Sequence, residues 1–503
     1  MVQALGQPRY LPRAPTNALK LIVEDHLEDL KLVYDERFAR RCGPLTPRVL
    51  DLFARFLRCG DPHFGFIRLR CPDCKAERLL PFSCKARGLC PSCDKRRATE
   101  WAARMVEEVL PPVAYAPLVF TVPKIIRPAF LFDRRLYGDL SRVVYQIVQK
   151  HLAERFPQLD RPRSALAVSP QSFGSLLNFH PHAHALSACG VFDRDGNFHE
   201  DLEVDFASLE LPFRDAVLGM LKRRGKIDDD RIALIKSWPH SGFRVHAERL
   251  IAPGDQEGLE SILEYFERPP VSLKNLTYLD TGMVHYAGRF HPGLGTDHQL
   301  VTGLEFLALL VPHIQLRFEA KIHLYGALST TLRKRWGWIG KRPAVSLAIS
   351  SVELAATSTM TQHGPIPTNG QSPAVAPANP STQSGVRRVD REPESDFVRV
   401  RRRSWAELIR RVWLVDPELC HRCGGTMKVI ASYASPAQDS VIRAILVARK
   451  EWDPPWLRAR APPANGDSAT RPARDNDSSR IDYDLMPEFF AGYVDTEFPP
   501  GDD

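Results

Sequence analysis

The sequence predicts a mixed α/β protein, and three stretches carry that reading. Ala116 to Val122 (APLVFTV) is rich in β-branched and aromatic residues and stops at Pro123, as a strand would. Asn178 to Leu186 alternates on a period of two, which places His180, His182, His184 and Leu186 on one face of a second strand. Between Asp255 and Arg268, Leu259, Ile262, Leu263 and Phe266 recur at i, i+3, i+4 and i+7, the buried stripe of an amphipathic helix. Asp255 is its N-cap and Pro269-Pro270 its stop.

The remaining elements follow along the chain. Asp25 to Arg41 spaces Leu27, Leu30, Tyr34 and Phe38 at helical intervals, and Val49 to Leu57 continues the pattern. A cysteine-rich segment runs from Cys71 to Cys93, and Thr99 to Leu110 reads as a helix ended by Pro111-Pro112. A helix from about Asp133 to Ala153 precedes mixed strands and helices. Residues 1–110 thus form a helical and metal-binding N-terminal domain, and residues 111–345 the main α/β domain. Residues 356–396 lose all apolar periodicity in favour of Ala, Thr, Pro, Ser, Gln and Gly and cannot offset ordering entropy, so 346–397 reads as a disordered linker. A small module with the Cys420–Cys423 pair occupies 398–457, and 458–503 reads as a disordered tail.

Composition limits the function classes. Of the 503 residues 44% are hydrophobic, enough for two or three cores, yet no apolar run approaches the ~18 residues of a membrane span. No signal peptide is visible behind Met1, so a cytoplasmic location is expected. The net charge of +8 is modest for this length. Its distribution says more: Lys95-Arg96-Arg97, Arg333-Lys334-Arg335 and Arg399 to Arg403 are clusters that suit an anionic partner.

Ten cysteines without a secretory signal read as metal ligands before disulfides. Cys71-Pro-Asp-Cys74 and Cys90-Pro-Ser-Cys93 stand fifteen residues apart, the spacing of a zinc ribbon. Two knuckles, each turning two thiolates to one side, close a tetrahedron around Zn²⁺ and leave no open position for catalysis. Cys84, between them, is an alternative ligand. Cys420 and Cys423 form half a ribbon with no downstream pair, so either a metal or a tight turn fits there.

Three alternating histidines are expected by chance only ~0.02 times in a chain of this composition. Two imidazoles on one strand face make a chelate for a divalent ion, although a hydrogen-bonded pair beside the sheet also satisfies the pattern. Tyr265 lies roughly 110° from the centre of its helix stripe and so flanks the core without filling it. From the residues alone it is a border tyrosine with a wet hydroxyl. On that helix it can also project a phenol toward ions held by the strand.

Taken together, GFIRLRCPDC, FSCKARGLCPSC, FTVPKIIRP, LLNFHPHAHALSACGVF, SGFRVHAERL, LEYFERPPVSLKNL, LYGALSTTLRKRWGWI and DPELCHRCGGTMKVIA resemble the rolling-circle transposases of the insertion-sequence-91 and common-region type, members of the HUH (His-hydrophobe-His) tyrosine endonucleases. The resemblance spans most of 20–345 and 400–435. It implies an HUH-type antiparallel sheet flanked by helices, with the histidine strand central and the tyrosine helix packed over it. It also implies that His182 and His184 bind Mg²⁺ or Mn²⁺, with His180 and His246 as candidates for a third ligand, and that Tyr265 is the nucleophile. The implied partner is DNA, chiefly single-stranded or hairpin element ends, and the implied product a 5′-phosphotyrosyl link with a free 3′-hydroxyl. Arg317, Lys321 and Arg333 to Arg335 are candidate backbone contacts.

Some members carry a second tyrosine four residues away. Here Ser261 and Pro269 stand at those positions, which implies one nucleophile per site, with Tyr278 and Tyr286 on a following strand pair. Two other classes compete: a non-catalytic zinc-dependent DNA-binding protein, and a nuclease that uses a metal-bound water. The oligomeric state is left open by the sequence.

Overall fold

Asn17 opens the first described helix, Ala18–Arg37: its side-chain oxygen accepts from Lys20 N at 3.1 Å. Residues 17–291, 295–316, 319–340, 343, 419–420 and 422–452 are described here, from a computed structural model. The expected linker 346–397, the tail 458–503, residues 398–418 and Arg317 lie outside them.

The N-terminal helix turns Leu19, Ile22, Val23, Leu27, Leu30 and Tyr34 inward. They share one core with Val49, Leu52, Phe53 and Phe56 of the helix Pro47–Leu57 and with Phe306, Leu307 and Leu310 of the helix Gly303–Leu310. An antiparallel hairpin follows, β1 (Gly65–Arg70) and β2 (Glu77–Pro81). Next comes a helix at Pro91–Arg104, which begins well before the expected Thr99. Cys90 stands at its N-cap and Pro91 at its first turn, where a missing N–H costs nothing. The run Lys95-Arg96-Arg97 on its polar side hid that start from the apolar periodicity. The helix closes in a single π turn, Met105–Val109, ahead of Pro111-Pro112.

The main sheet has β3 (Tyr115–Thr121), β4 (Ala165–Phe173), β5 (Phe179–Ala188), β8 (Arg244–Ala247) and β12 (His323–Gly326), numbered so that β6 (Gly190–Phe192) and β7 (Phe198–Glu200) form a separate two-stranded ribbon. Its order is β12-β4-β5-β3-β8 and every pairing in it is antiparallel, so the histidine strand β5 is central. Period-two alternation sends the two sets of side chains to two cores. Leu118, Phe120, Leu166, Val168, Ala183 and Ala185 pack on the helices Arg135–Glu154 and Glu210–Arg223. Tyr115, Ala165, Ala167, Leu186 and Ala188 pack with Leu259, Leu263 and Phe266 of the tyrosine helix, Gln256–Phe266. A strand buried on both faces reads as a continuous apolar run, which is why APLVFTV shows no alternation.

A third sheet pairs β9 (Leu276–Tyr278), β10 (Met283–His291) and β11 (Thr296–Thr302) in the order β11-β10-β9. It carries Tyr278 and Tyr286, as expected. The architecture is therefore the mixed α/β class with antiparallel sheets flanked by helices. No described helix is long and apolar enough to cross a membrane.

Leu263 is fully buried between the tyrosine helix and the sheet. Its replacement by alanine should cost about 2–5 kcal/mol, read as a lowered denaturation midpoint. An unchanged midpoint would mean that the helix does not pack where described.

Candidate active site and cysteine clusters

The Asp255 carboxylate accepts from Gly258 N at 2.8 Å and starts the tyrosine helix. The other end is fastened by β4. Ser169 and Gln171 stand opposite His184 and His182 in the β4–β5 register, on the same face of the sheet. Ser169 Oγ donates to the Phe266 carbonyl at 3.0 Å, and Gln171 Nε2 to the carbonyls of Tyr265 and Phe266 at 3.4 Å each. Carbonyls of the last turn have no partner within the helix, so these bonds fix where it ends and which way it faces.

As a result, the rings of His184 and Tyr265 meet edge to face with centroids 5.0 Å apart. Tyr265 itself is half-buried. The Arg268 guanidinium lies over the Tyr265 ring, 4.2 Å from its centroid, and its Nε donates to Gln171 Oε1 at 3.3 Å. His182 and His184 are buried, and their Nε2 atoms face each other at 3.0 Å. His182 Nδ1 donates to the His180 carbonyl at 2.7 Å, which keeps its proton on Nδ1 and leaves the Nε2 lone pair toward His184. Burial first, then the neighbouring His182, Arg268 and His180, hold His184 well below the usual imidazole range, so it is neutral at pH 7.

This donor set fits a divalent cation. Two imidazole nitrogens 3.0 Å apart match adjacent ligands on one ion with bonds of ~2.1 Å. The third-ligand candidates separate. His180 is buried on the same face and stacks on His182 at 5.0 Å, whereas exposed His246 sits on β8, with β3 between it and the pair.

The other expected site residues take structural positions. Tyr286 Oη donates to the Pro270 carbonyl at 3.3 Å and accepts from Ser272 N at 3.2 Å. Tyr278 Oη donates to Asp25 Oδ2 at 3.0 Å. Ser261 is exposed. Two of the expected DNA contacts turn into the fold: half-buried Lys321 Nζ donates to the Arg268 carbonyl at 2.9 Å, and buried Arg333 Nη2 to the Glu108 carbonyl at 2.8 Å. Lys334 and Arg335 remain exposed.

The expected ribbon of Cys71, Cys74, Cys90 and Cys93 is corrected. Cys71 and Cys74 sit at the tip of the β1–β2 hairpin, whereas Cys59 and Cys84 flank its open end. The six residues of β1 span ~20 Å, so the tip cannot reach Cys90 and Cys93. The structure instead forms two clusters, Cys59–Cys84–Cys90–Cys93 and Cys71–Cys74–Cys420–Cys423, each with its sulfurs within 4.8 Å of one another.

In the first cluster Cys59 Sγ lies 3.7 Å from the sulfurs of both Cys90 and Cys93, and Cys84 Sγ lies 3.6 Å from that of Cys93. A ZnS₄ tetrahedron with ~2.3 Å bonds has edges of ~3.8 Å. The observed sulfur separations match those edges, so the four side chains need only lose their protons to hold the ion. Sequence spacing could not single out Cys59. The signal was the β1–β2 hairpin between it and Cys84.

Residues 30–122 match the family described as "Transposase zinc-binding domain", and residues 168–335 the family described as "Putative transposase". The chain belongs to the IS91/IS801-type transposases. A similar protein is the transposase for insertion sequence element IS801 of Pseudomonas savastanoi pv. phaseolicola. The two are 22% identical over 308 residues, 57% of this chain and 72% of the relative. No solved structure matches. Membership accounts for both regions of this transposase: the cluster Cys59–Cys84–Cys90–Cys93 falls within the zinc-binding match and fits Zn²⁺, and the histidine strand and tyrosine helix fall within the second match. DNA is the partner that membership implies, and DNA transposition the process served.

Proposed function

We propose that this transposase nicks and rejoins single-stranded DNA at element ends through a covalent bond between Tyr265 and a 5′-phosphate. The observation that carries the reading is the meeting of three groups on one sheet face: the paired Nε2 atoms of His182 and His184, the Tyr265 ring beside them, and the Arg268 guanidinium over that ring.

In the reaction Tyr265 Oη attacks phosphorus, and the P–O3′ bond breaks. The phenol loses its proton, the departing 3′-oxygen gains one, and a phosphotyrosyl diester replaces the DNA diester. Because a diester is kept, a later 3′-hydroxyl can attack the link and release Tyr265 without a nucleotide cofactor. Mg²⁺ or Mn²⁺ held by His182 and His184 would polarise the phosphate and offset charge developing on its oxygens. Arg268 holds positive charge where the phosphate approaches the phenol. Ser169 and Gln171 fix the helix that aims Tyr265, which keeps the nucleophile in register with the histidines. The proposed substrate is single-stranded DNA because the resemblance to the HUH endonucleases implies it, and the half-buried Tyr265 remains partly open to it.

The test is incubation of the chain with single-stranded DNA carrying element ends and Mn²⁺, followed by denaturing electrophoresis. A protein–DNA species that resists SDS is expected. Cleavage without it would replace this reading with a nuclease using a metal-bound water. DNA retention with neither would replace it with a non-catalytic binding protein.

A further inference from the structure

The second cysteine cluster joins residues from opposite ends of the chain. Cys71 and Cys74 come from the hairpin tip, and Cys420 and Cys423 from the far side of the undescribed residues 344–418. Cys71 Sγ lies 3.5 Å from Cys423 Sγ, and Cys74 Sγ lies 3.4 Å from Cys420 Sγ. All four are thiols, too far apart to be bonded to one another.

The two pairs are built alike. Cys71 N donates to the Ala76 carbonyl at 2.8 Å, and Cys420 N to the Gly425 carbonyl at 2.8 Å. Lys75 N donates to the Cys71 carbonyl at 3.1 Å, and Gly424 N to the Cys420 carbonyl at 2.9 Å. The residue after each second cysteine is left-handed, Lys75 at φ 59° and Gly424 at φ 71°. A lysine resists that conformation and glycine accepts it, so the shared geometry is imposed by the turn and not by residue preference. Each turn presents two sulfurs on one side, and the two turns face each other. Arg422 N also points at Cys420 Sγ, at 3.5 Å, as amides do toward a thiolate.

Strand pairing brings the turns together. β13 (Lys428–Ala434) adds antiparallel to β1, with Arg70 opposite Lys428 and Leu69 opposite Val429, directly beside the knuckles. Among the described residues the apolar material there is slight. Leu69, Ala76 and Met427 surround the sulfurs, and Phe66 meets Ile442 and Leu446 of the helix Asp439–Ala448. Cores of this size need a staple.

We infer that Cys71, Cys74, Cys420 and Cys423 form a second structural Zn²⁺ site, a clasp that completes the three-stranded sheet by tying residues 419–452 to the N-terminal hairpin. Four thiolates complete a tetrahedral shell, so the site is closed and non-catalytic. The metal closes a loop of the chain that contains the whole histidine and tyrosine centre, and metal clips across long loops gain most from restricting the unfolded chain. This inference is independent of the role given to Tyr265.

Cys423 allows a test on the unmodified full-length chain, because it is exposed and a free thiol there would react at once. Elemental analysis should give two zinc ions per chain. Iodoacetamide followed by peptide mass spectrometry should leave Cys71, Cys74, Cys420 and Cys423 unlabelled until a chelator is added, and should then label all four together. The double variant Cys420→Ser/Cys423→Ser should hold one zinc ion, and Cys71 and Cys74 should become reactive while Cys59, Cys84, Cys90 and Cys93 stay protected. One zinc ion in the unmodified chain, with Cys423 labelled at the rate of a free thiol, would overturn the inference. So would Cys71–Cys423 and Cys74–Cys420 disulfides in the purified protein. Should the double variant fail to fold, labelling of the unmodified chain decides alone.

Discussion

Tyr265→Phe is expected to abolish the covalent protein–DNA species and strand cleavage while leaving DNA binding intact. The substitution removes one oxygen and keeps the ring, so the contact with His184 at 5.0 Å and the stacking of Arg268 at 4.2 Å are retained. What disappears is the only atom able to form the phosphodiester. Losing a covalent nucleophile costs on the order of 10⁴-fold or more in rate, which puts the variant below detection in an adduct assay. Ser261→Ala, Tyr278→Phe and Tyr286→Phe should keep the adduct, each for its own reason. Ser261 is exposed on the helix surface, Tyr278 is engaged with Asp25 at 3.0 Å, and Tyr286 is buried against the Pro270 carbonyl at 3.3 Å. Tyr286→Phe should lower stability, since it leaves a buried carbonyl short of its donor. An adduct that persists in Tyr265→Phe would show that another residue attacks.

The contrast between these tyrosines shows how much of the site was legible in the sequence. A stripe of Leu259, Leu263 and Phe266 fixes which way a helix faces, so the flanking position of Tyr265 followed from local periodicity. Alternation likewise put His180, His182 and His184 on one face of β5. Local pattern could not supply pairing. That Gln171 stands opposite His182 and holds the end of the tyrosine helix depends on the β4–β5 register, which no repeat in the chain encodes. The cysteines failed for the same reason at longer range. The C-x2-C spacing identified both N-terminal knuckles as ligand pairs, yet a hairpin sends them to opposite ends and each finds partners elsewhere. Clustered charge was the weakest guide. Arg333 and Lys321 carry the expected charge, but both direct it to backbone carbonyls inside the fold.

Cys93→Ser should have the second large effect, and it should reach Tyr265. Cys93 belongs to the first cluster, whose sulfurs lie within the N-terminal helical core beside Phe53 and Phe56. Structural zinc sites contribute apparent binding free energies of roughly 10–16 kcal/mol to the peptides they fold. That is comparable to the whole stability of a typical domain, about 5–15 kcal/mol, so losing one ligand should unfold this region. The Cys90–Cys93 knuckle also starts the helix Pro91–Arg104, and that helix grips the tyrosine helix one residue from the nucleophile. Thr99 Oγ1 donates to Glu264 Oε1 at 2.8 Å, and Lys95 pairs with the other carboxylate oxygen. The expected result is a chain with one zinc ion fewer, a lowered melting temperature and little adduct. His182→Ala is the control: it should also lose the adduct, but keep its full zinc content and N-terminal fold, because His182 lies on β5 and touches neither cluster. If Cys93→Ser retains its zinc and its melting temperature, the first cluster is not a structural metal site. If it loses the zinc but forms adduct as before, the Thr99–Glu264 and Lys95–Glu264 contacts do not position Tyr265.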